Sequence, residues 1–222
     1  GIPIIPISGG PIETIKHRDH ALLVSLGAPI KSGSDLKGKK VAINSRRNID
    51  HLMMLLYLKK FGLTESDVEL IEVPFPRMEA AVTTGSVDAI ATAEPFITLA
   101  LDRERLRLLD WNYVAVRPMT FVSTYVVTED FAKKNPKIVK AFSQVLGKAA
   151  EVANTDPKRA RASLSSYTKI TPEVADKVGL PFFAPRMDIE NMTETEKLLL
   201  QTGLLERPVN VKKSFEAKQG GL

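Results

Sequence analysis

Residues 41–62, VAINSRRNIDHLMMLLYLKKFG, set two arginines in a short polar turn between a strand-like apolar run and a helix-like one. Where a strand turns directly into a helix, the first backbone N–H groups of the helix have no intrahelical partner and attract anions. The small polar residues of NSRRN let such a ligand come close. A second reading is as simple: Asn48 caps the helix, and Arg46 and Arg47 are solvated charge that opposes the helix dipole only mildly. Magnitudes bound both readings. A helix terminus contributes about 0.3 to 1 kcal/mol, whereas micromolar affinity needs about 8 kcal/mol, so one loop does not make a receptor.

The other candidate groups are sparser. HRDH places His17, Asp19 and His20 close in sequence, but an H-x-x-H pair without a third ligand at helical spacing is a poor metal site, and the stretch reads as a solvated turn. His51, beside Asp50 in the first turn of the helix, has neither the nucleophile nor the orienting partner that a general base needs. Glu94 opens the run EPF after the apolar stretch VDAIATA, so it stands at the carboxyl end of a strand, the edge where α/β sheets bind ligands. It is equally a carboxylate favouring a helix N-terminus, with Pro95 in the first turn. No Gly-rich phosphate loop, G-x-S-x-G elbow or H-E-x-x-H motif occurs. Cysteine is absent altogether, which removes thiol catalysis and thiolate metal sites. The residues assemble no catalytic constellation and imply no metal and no cofactor.

These groups must be positioned by regular elements, and the central third of the chain supplies them. The spacing predicts strand 40–44, helix 48–61, strand 68–73, helix 76–84, strand 87–92, helix 95–103 and strand 107–111. Alternating strands and helices with short connections imply parallel βαβ units. In the helix of 48–61, Leu52, Leu55, Leu56 and Tyr57 recur at helical spacing, Lys59 and Lys60 fall in the last turn, and Gly62 ends it. GIPIIPISGG reads as a buried strand stopping at a Gly-Gly turn, and HALLVSLGAPI repeats that pattern. FVSTYVVT (121–128) is β-rich. Beyond it the texture changes to helices that begin at Thr, Asp or Pro and several of which end near Gly.

The 222 residues suffice for one large domain or two lobes, and 44% hydrophobic content fits a globular protein. Lys and Arg exceed Asp and Glu by 31 to 26, a net charge of +5, but the charges are interspersed and aromatics make up only 6%. Nucleic-acid binding therefore has no support. No apolar run reaches the length of about 18 residues that spans a bilayer. The chain starts at Gly1, so it reads as a processed, trimmed or partial polypeptide, with any export signal upstream.

The order of several segments is more informative than their chemistry. GAPIKSGSDLKGKKVAIN, NIDHLMMLLYLKKFGLTESDVELIEVPFP, RMEAAVTTGSVDAIATAEPF, TFVSTYVVTEDFAKKNPKIVKAF and LLLQTGLLERPVNVKKSF, spanning about residues 17–216, together resemble the periplasmic substrate-binding proteins of nitrate/sulfonate/taurine-type ABC importers. The most specific parts are DLKGKKVA and GSVDAIATAEPF. The resemblance implies the α/β type II periplasmic-binding fold, with two lobes and ligand in the cleft. Residues 25–118 would form the second lobe, and 1–24 with 119–222 an incomplete first lobe, because the family's opening strand-helix-strand stretch has no counterpart here. An incomplete lobe exposes sheet edge, so a dimer or a strand swap is expected.

Carried over position by position, the resemblance implies that the loop of residues 44–49 offers backbone and side-chain donors to an anion. Its residues Asn44, Ser45, Arg46, Asn48 and Ile49 are then ligand contacts, joined by Glu94 of the EPF motif, Thr120 at the second crossing and Ser8 at a strand end of the first lobe. Arg46 and Arg47 are more basic than the Gly/Ser-type residues expected there. The implied function is an extracytoplasmic solute-binding protein, periplasmic or lipid-anchored, delivering a sulfonate, nitrate or organic carboxylate to ABC permease subunits. It would not be an enzyme: the pyrimidine-synthase and desulfinase relatives of the fold rely on cysteine. The alternatives are the effector-sensing domain of a LysR-type regulator, which shares the architecture, and a cysteine-free enzyme relative of the pyrimidine-synthase and desulfinase group.

Overall fold

A computed structural model describes residues 3–211. In chain order these form β1 (Ile4–Ser8), β2 (Pro11–Thr14), β3 (His20–Ser25), β4 (Lys40–Ile43), α1 (Ile49–Lys60), β5 (Glu69–Glu72), α2 (Phe75–Thr83), β6 (Ala89–Ala93), α3 (Phe96–Asp102), β7 (Leu106–Asp110) and α4 (Asn112–Val116). They continue with β8 (Met119–Phe121), β9 (Tyr125–Thr128), α5 (Glu129–Lys134), α6 (Pro136–Thr155), α7 (Pro157–Tyr167), α8 (Pro172–Ala175), β10 (Phe182–Phe183) and α9 (Ile189–Gln201). The chain divides into two compact units: one holds the residues up to Ile12, Phe121–Ala160 and those from Phe182 onward; the other holds Glu13–Thr120 and Arg161–Pro181.

The Glu13–Thr120 unit is built on a five-stranded sheet of order β5-β4-β6-β3-β7. β4 pairs in parallel with β5 and with β6, as the alternating pattern requires. β3 is the exception: it lies antiparallel between β6 and β7. The sheet is covered on both faces, and the strands show it residue by residue. Leu22, Val24, Val41, Ile43, Ala89 and Ala91 pack on one face with Met54, Tyr57 and Leu58 of α1. Ala21, Leu23, Ala42 and Ile90 pack on the other with Met78 and Val82 of α2 and Ile97 and Ala100 of α3. α1 keeps the boundaries its sequence predicts: Asn48 accepts from the His51 N–H, and Gly62 holds φ +72° just beyond the last turn. Gly33 lies against the Phe61 ring, where a Cβ would fall 2.3 Å from a ring carbon.

In the other unit β1 pairs antiparallel with β9 alone. β1 is therefore not the buried strand its β-branched residues suggest; Ile4 is exposed and only Ser8 is buried. β2, which the Gly-Gly turn hides in the sequence, is the middle strand of the order β10-β2-β8. α6 rests on this unit through Ser143, whose hydroxyl donates to the Ile7 carbonyl, and Asn154, which exchanges hydrogen bonds with the Phe183 backbone. Along its other side Ile138, Phe142, Val145 and Val152 are exposed.

The division departs from the 25–118 reading in two places. Residues 13–24 join the larger unit because β3 is hydrogen-bonded into the middle of its sheet. Residues 161–181 join it as well: α8 packs on α3, and the Gly179 N–H donates to Glu94. That approach needs glycine, since a Cβ there would meet the Arg18 carbonyl oxygen at 2.7 Å.

Candidate functional site

The loop between β4 and α1 stands at the carboxyl end of a parallel strand, as the sequence predicts. Asn48 Nδ2 donates to Asn44 Oδ1 at 2.7 Å, and Asn48 Oδ1 takes the His51 N–H at 3.0 Å. One side chain thus caps the helix and fixes Asn44, leaving the Asn44 amide NH2 directed elsewhere. The Leu52 N–H reaches the Asn48 carbonyl, so the helix start leaves the N–H groups of Ile49 and Asp50 without an intrahelical partner. The Ser45 hydroxyl lies 3.3 Å from the Arg46 carbonyl.

The arginines are tied into the fold. The Arg46 N–H donates to Glu72, and its guanidinium binds the Glu65 carboxylate and the Leu70 carbonyl oxygen at 2.9 Å. Arg47 has φ +60°, the left-handed region that favours glycine, and its N–H donates to His51 Nδ1 at 3.1 Å. That bond fixes the His51 tautomer, with the proton on Nε2, 3.4 Å from Glu65. Burial holds His51 below its ordinary pKa, against the pull of the Glu65 charge, so it is a neutral spacer behind the loop.

Glu94 closes the next strand. Its carboxylate accepts from the Thr98 N–H, the Thr98 hydroxyl and the Gly179 N–H at 3.1, 2.9 and 3.1 Å, and its own N–H donates to the Asp19 carbonyl. Burial raises its pKa despite these donors. Thr120, on β8, is 1% exposed, and its hydroxyl has no hydrogen-bond partner among the described residues. Ser8 belongs to the other unit, at the end of β1, where its carbonyl accepts from the Thr124 hydroxyl.

A second group of side chains lies close by, and the HRDH stretch is part of it. His17 is exposed, but Asp19 and His20 are buried rather than solvated. His20 Nδ1 donates to Glu13 Oε2 at 2.8 Å and to Asp19 Oδ1 at 2.9 Å, and its Nε2 lies 3.8 Å from Asp50 Oδ1. The Tyr113 ring stacks on the imidazole at 4.1 Å, while its hydroxyl donates to Asp50 Oδ1 at 2.5 Å. Burial pushes the Glu13 carboxyl up to about 8. Burial alone would lower His20, but its bonds to Asp19 and Glu13 and the charges of Asp19 and Asp50 outweigh it and raise the imidazole to about 10. Burial also opposes Asp19, yet its hydrogen bond from His20 keeps its pKa lowered. Glu13, Asp50 and Tyr113 escape a sequence reading because they reach His20 from separate elements. The one available signal is a carboxylate inside the strand run PIET.

Comparison with known proteins places the chain in a family. The family model described as NMT1/THI5 like matches residues 11–160. The chain belongs to this family. The taurine-binding periplasmic protein of Escherichia coli (strain K12) is 30% identical over 129 residues, covering 57% of this chain and 40% of that protein. The chain thus spans well under half the length of that curated relative. Among solved structures, the periplasmic aliphatic sulphonate binding protein SsuA from Escherichia coli matches with TM-score 0.72 and 22% identity, covering 96% of this chain and 73% of that one. The alkanesulfonate-binding protein SsuA from Xanthomonas axonopodis pv. citri, bound to MOPS, matches with TM-score 0.78 and 20% identity over the same shares. The fold is accordingly the α/β type II periplasmic-binding fold of those proteins.

Proposed function

We propose that this NMT1/THI5-like protein is the solute-binding component of an ABC importer, located outside the cytoplasm, and that it captures a small anion, a sulfonate ahead of nitrate or an organic carboxylate. The observation that carries the reading is the passage of β4 directly into α1, with the N–H groups of Ile49 and Asp50 left over by the Asn48 cap. Such groups bind an anion without carrying a counter-charge themselves. The sulfonate comes first because the relatives named above bind taurine or alkanesulfonates.

In this proposal the contacts within the Glu13–Thr120 unit are the backbone at residues 45–49, the amide of Asn44, and the hydroxyls of Ser45 and Thr120. Asn48 and Glu94 position the loops, since their polar atoms already hold the chain. The Arg46 guanidinium lends positive potential while bound to Glu65. Several donors acting together supply the affinity that one helix end lacks. Native mass spectrometry of freshly purified protein tests the reading: a co-purified sulfonate supports it, and a neutral or cationic ligand opposes it.

Self-association belongs to the same proposal. The exposed apolar stripe Ile138, Phe142, Val145 and Val152 on α6 is the kind of surface that pairs with a partner, and a second copy of the chain is the partner proposed. Light scattering that reports a monomer at every concentration would oppose it, and a mass that rises with concentration and falls in Phe142→Ser would support it.

A further inference from the structure

We propose that Glu13, Asp19 and His20 form a binding site for a divalent first-row transition-metal cation, separate from the anion-binding loop and independent of the transport reading. The ligand atoms, Glu13 Oε2, Asp19 Oδ1 and His20 Nδ1, all lie within 4.8 Å of one another, and all three residues are buried. A nitrogen and two carboxylate oxygens are the donor set that zinc and its neighbours accept, and the chain has no cysteine thiolate to compete with it. Metal bonds of about 2.0 to 2.2 Å set tetrahedral ligands roughly 3.4 Å apart. The contacts at His20 Nδ1, 2.8 and 2.9 Å, therefore need to open by about half an ångström.

Two further observations point to a cation. Glu13 is fully buried, and its second oxygen, Oε1, has no hydrogen-bond partner among the described residues. Leaving a carboxylate oxygen so is costly, whereas on a metal it becomes a further donor from the same side chain. Behind the imidazole, Asp50 lies 3.8 Å from the other ring nitrogen, held in turn by the Tyr113 hydroxyl. A carboxylate behind the non-ligating nitrogen is the usual support of a metal-binding histidine, since it fixes the tautomer and the ring orientation. The geometry agrees: the carboxyl groups of Glu13, Asp19 and Asp50 converge on a single imidazole. The slight exposure of Asp19 and His20, 8% and 7%, leaves a way in.

The test is titration of the chelator-treated protein with zinc against a chromophoric competitor, with cobalt absorption as a second readout. One zinc per chain is expected, with visible cobalt bands of the intensity typical of four or five ligands. Glu13→Gln and Asp19→Asn should each weaken zinc at least tenfold, while His17→Ala, at the exposed histidine of the same stretch, should leave it within twofold. Absence of stoichiometric zinc, or equal affinity in both carboxylate variants, overturns the site. Should a variant misfold, the wild-type stoichiometry and cobalt spectrum still decide: no cobalt bands means no such site.

Discussion

The guanidinium of Arg46 is bound to the carboxylate of Glu65, and through that pair the loop between β4 and α1 is fastened to the turn before β5. An arginine that sequence alone offers to a ligand is thus occupied by the protein. Both partners are about two-fifths exposed, so the pair itself contributes little, about 0.2 to 1 kcal/mol. Arg46→Ala should therefore lower stability by about 1 kcal/mol, counting the bond to the Leu70 carbonyl, and change sulfonate affinity less than threefold. Calorimetry and urea unfolding on the same variant separate the two effects. A loss of tenfold or more in affinity would return the guanidinium to the ligand.

Asn48 tests the backbone donors more sharply. Asn48→Asp keeps an N-cap acceptor, so stability should hold within about 0.5 kcal/mol, but a carboxylate beside the N–H groups should weaken an anion at least tenfold. Asn48→Ala should cost about 1 kcal/mol in stability. Unchanged anion affinity in Asn48→Asp would remove the helix start from the site.

Much of this loop is readable in the sequence. The apolar run, the cap at Asn48, the helical spacing of Leu52 to Tyr57 and the stop at Gly62 are local signals, and local signals survive folding. What stays hidden is non-local. The partners of Arg46 are 19 and 24 residues away, the strand β3 inserts against the direction of its neighbours, and His20 meets Tyr113 and Asp50 only once the sheet is assembled. The same holds for residues 161–181, whose helices look like the rest of the helical tail until Gly179 closes on Glu94. Ser8 and Thr120, by contrast, follow from the family resemblance and from no local pattern.

Tyr113 holds a buried carboxylate, so Tyr113→Phe removes the hydroxyl donor and leaves Asp50 Oδ1 short of its bond. A loss of about 1 to 3 kcal/mol is expected in chemical unfolding. Tyr113→Leu should cost more, because the ring stacked on His20 goes as well. Equal stability of the Phe variant and wild type would show that the hydroxyl bond contributes nothing.

Glu196 carries a pH dependence of known sign. Burial alone would raise its pKa, but the N–H groups of Val209, Asn210 and Val211 donate to it, and the folded value falls below the ordinary 4.5. A carboxylate lowered in the folded state stabilises above its unfolded pKa and loses that contribution as pH falls through the folded one. Glu196→Gln should thus be less stable than wild type by about 1 to 2 kcal/mol at pH 7, with the gap closing as pH falls below 4.5 and through the lowered folded value. Urea midpoints whose gap stays the same, or widens, as the pH is lowered into the acid would contradict this.

The central claim, capture of a small sulfonate, is tested most directly by the thermal unfolding of the purified protein with taurine, alkanesulfonates, nitrate and carboxylates. A ligand at about one hundred times its Kd stabilises by about 2.7 kcal/mol, which for a chain of this size raises Tm by roughly 5 to 10 °C. A rise of that order with a sulfonate, larger than with nitrate or any carboxylate, is the predicted result. No rise with any sulfonate at millimolar concentration would contradict it.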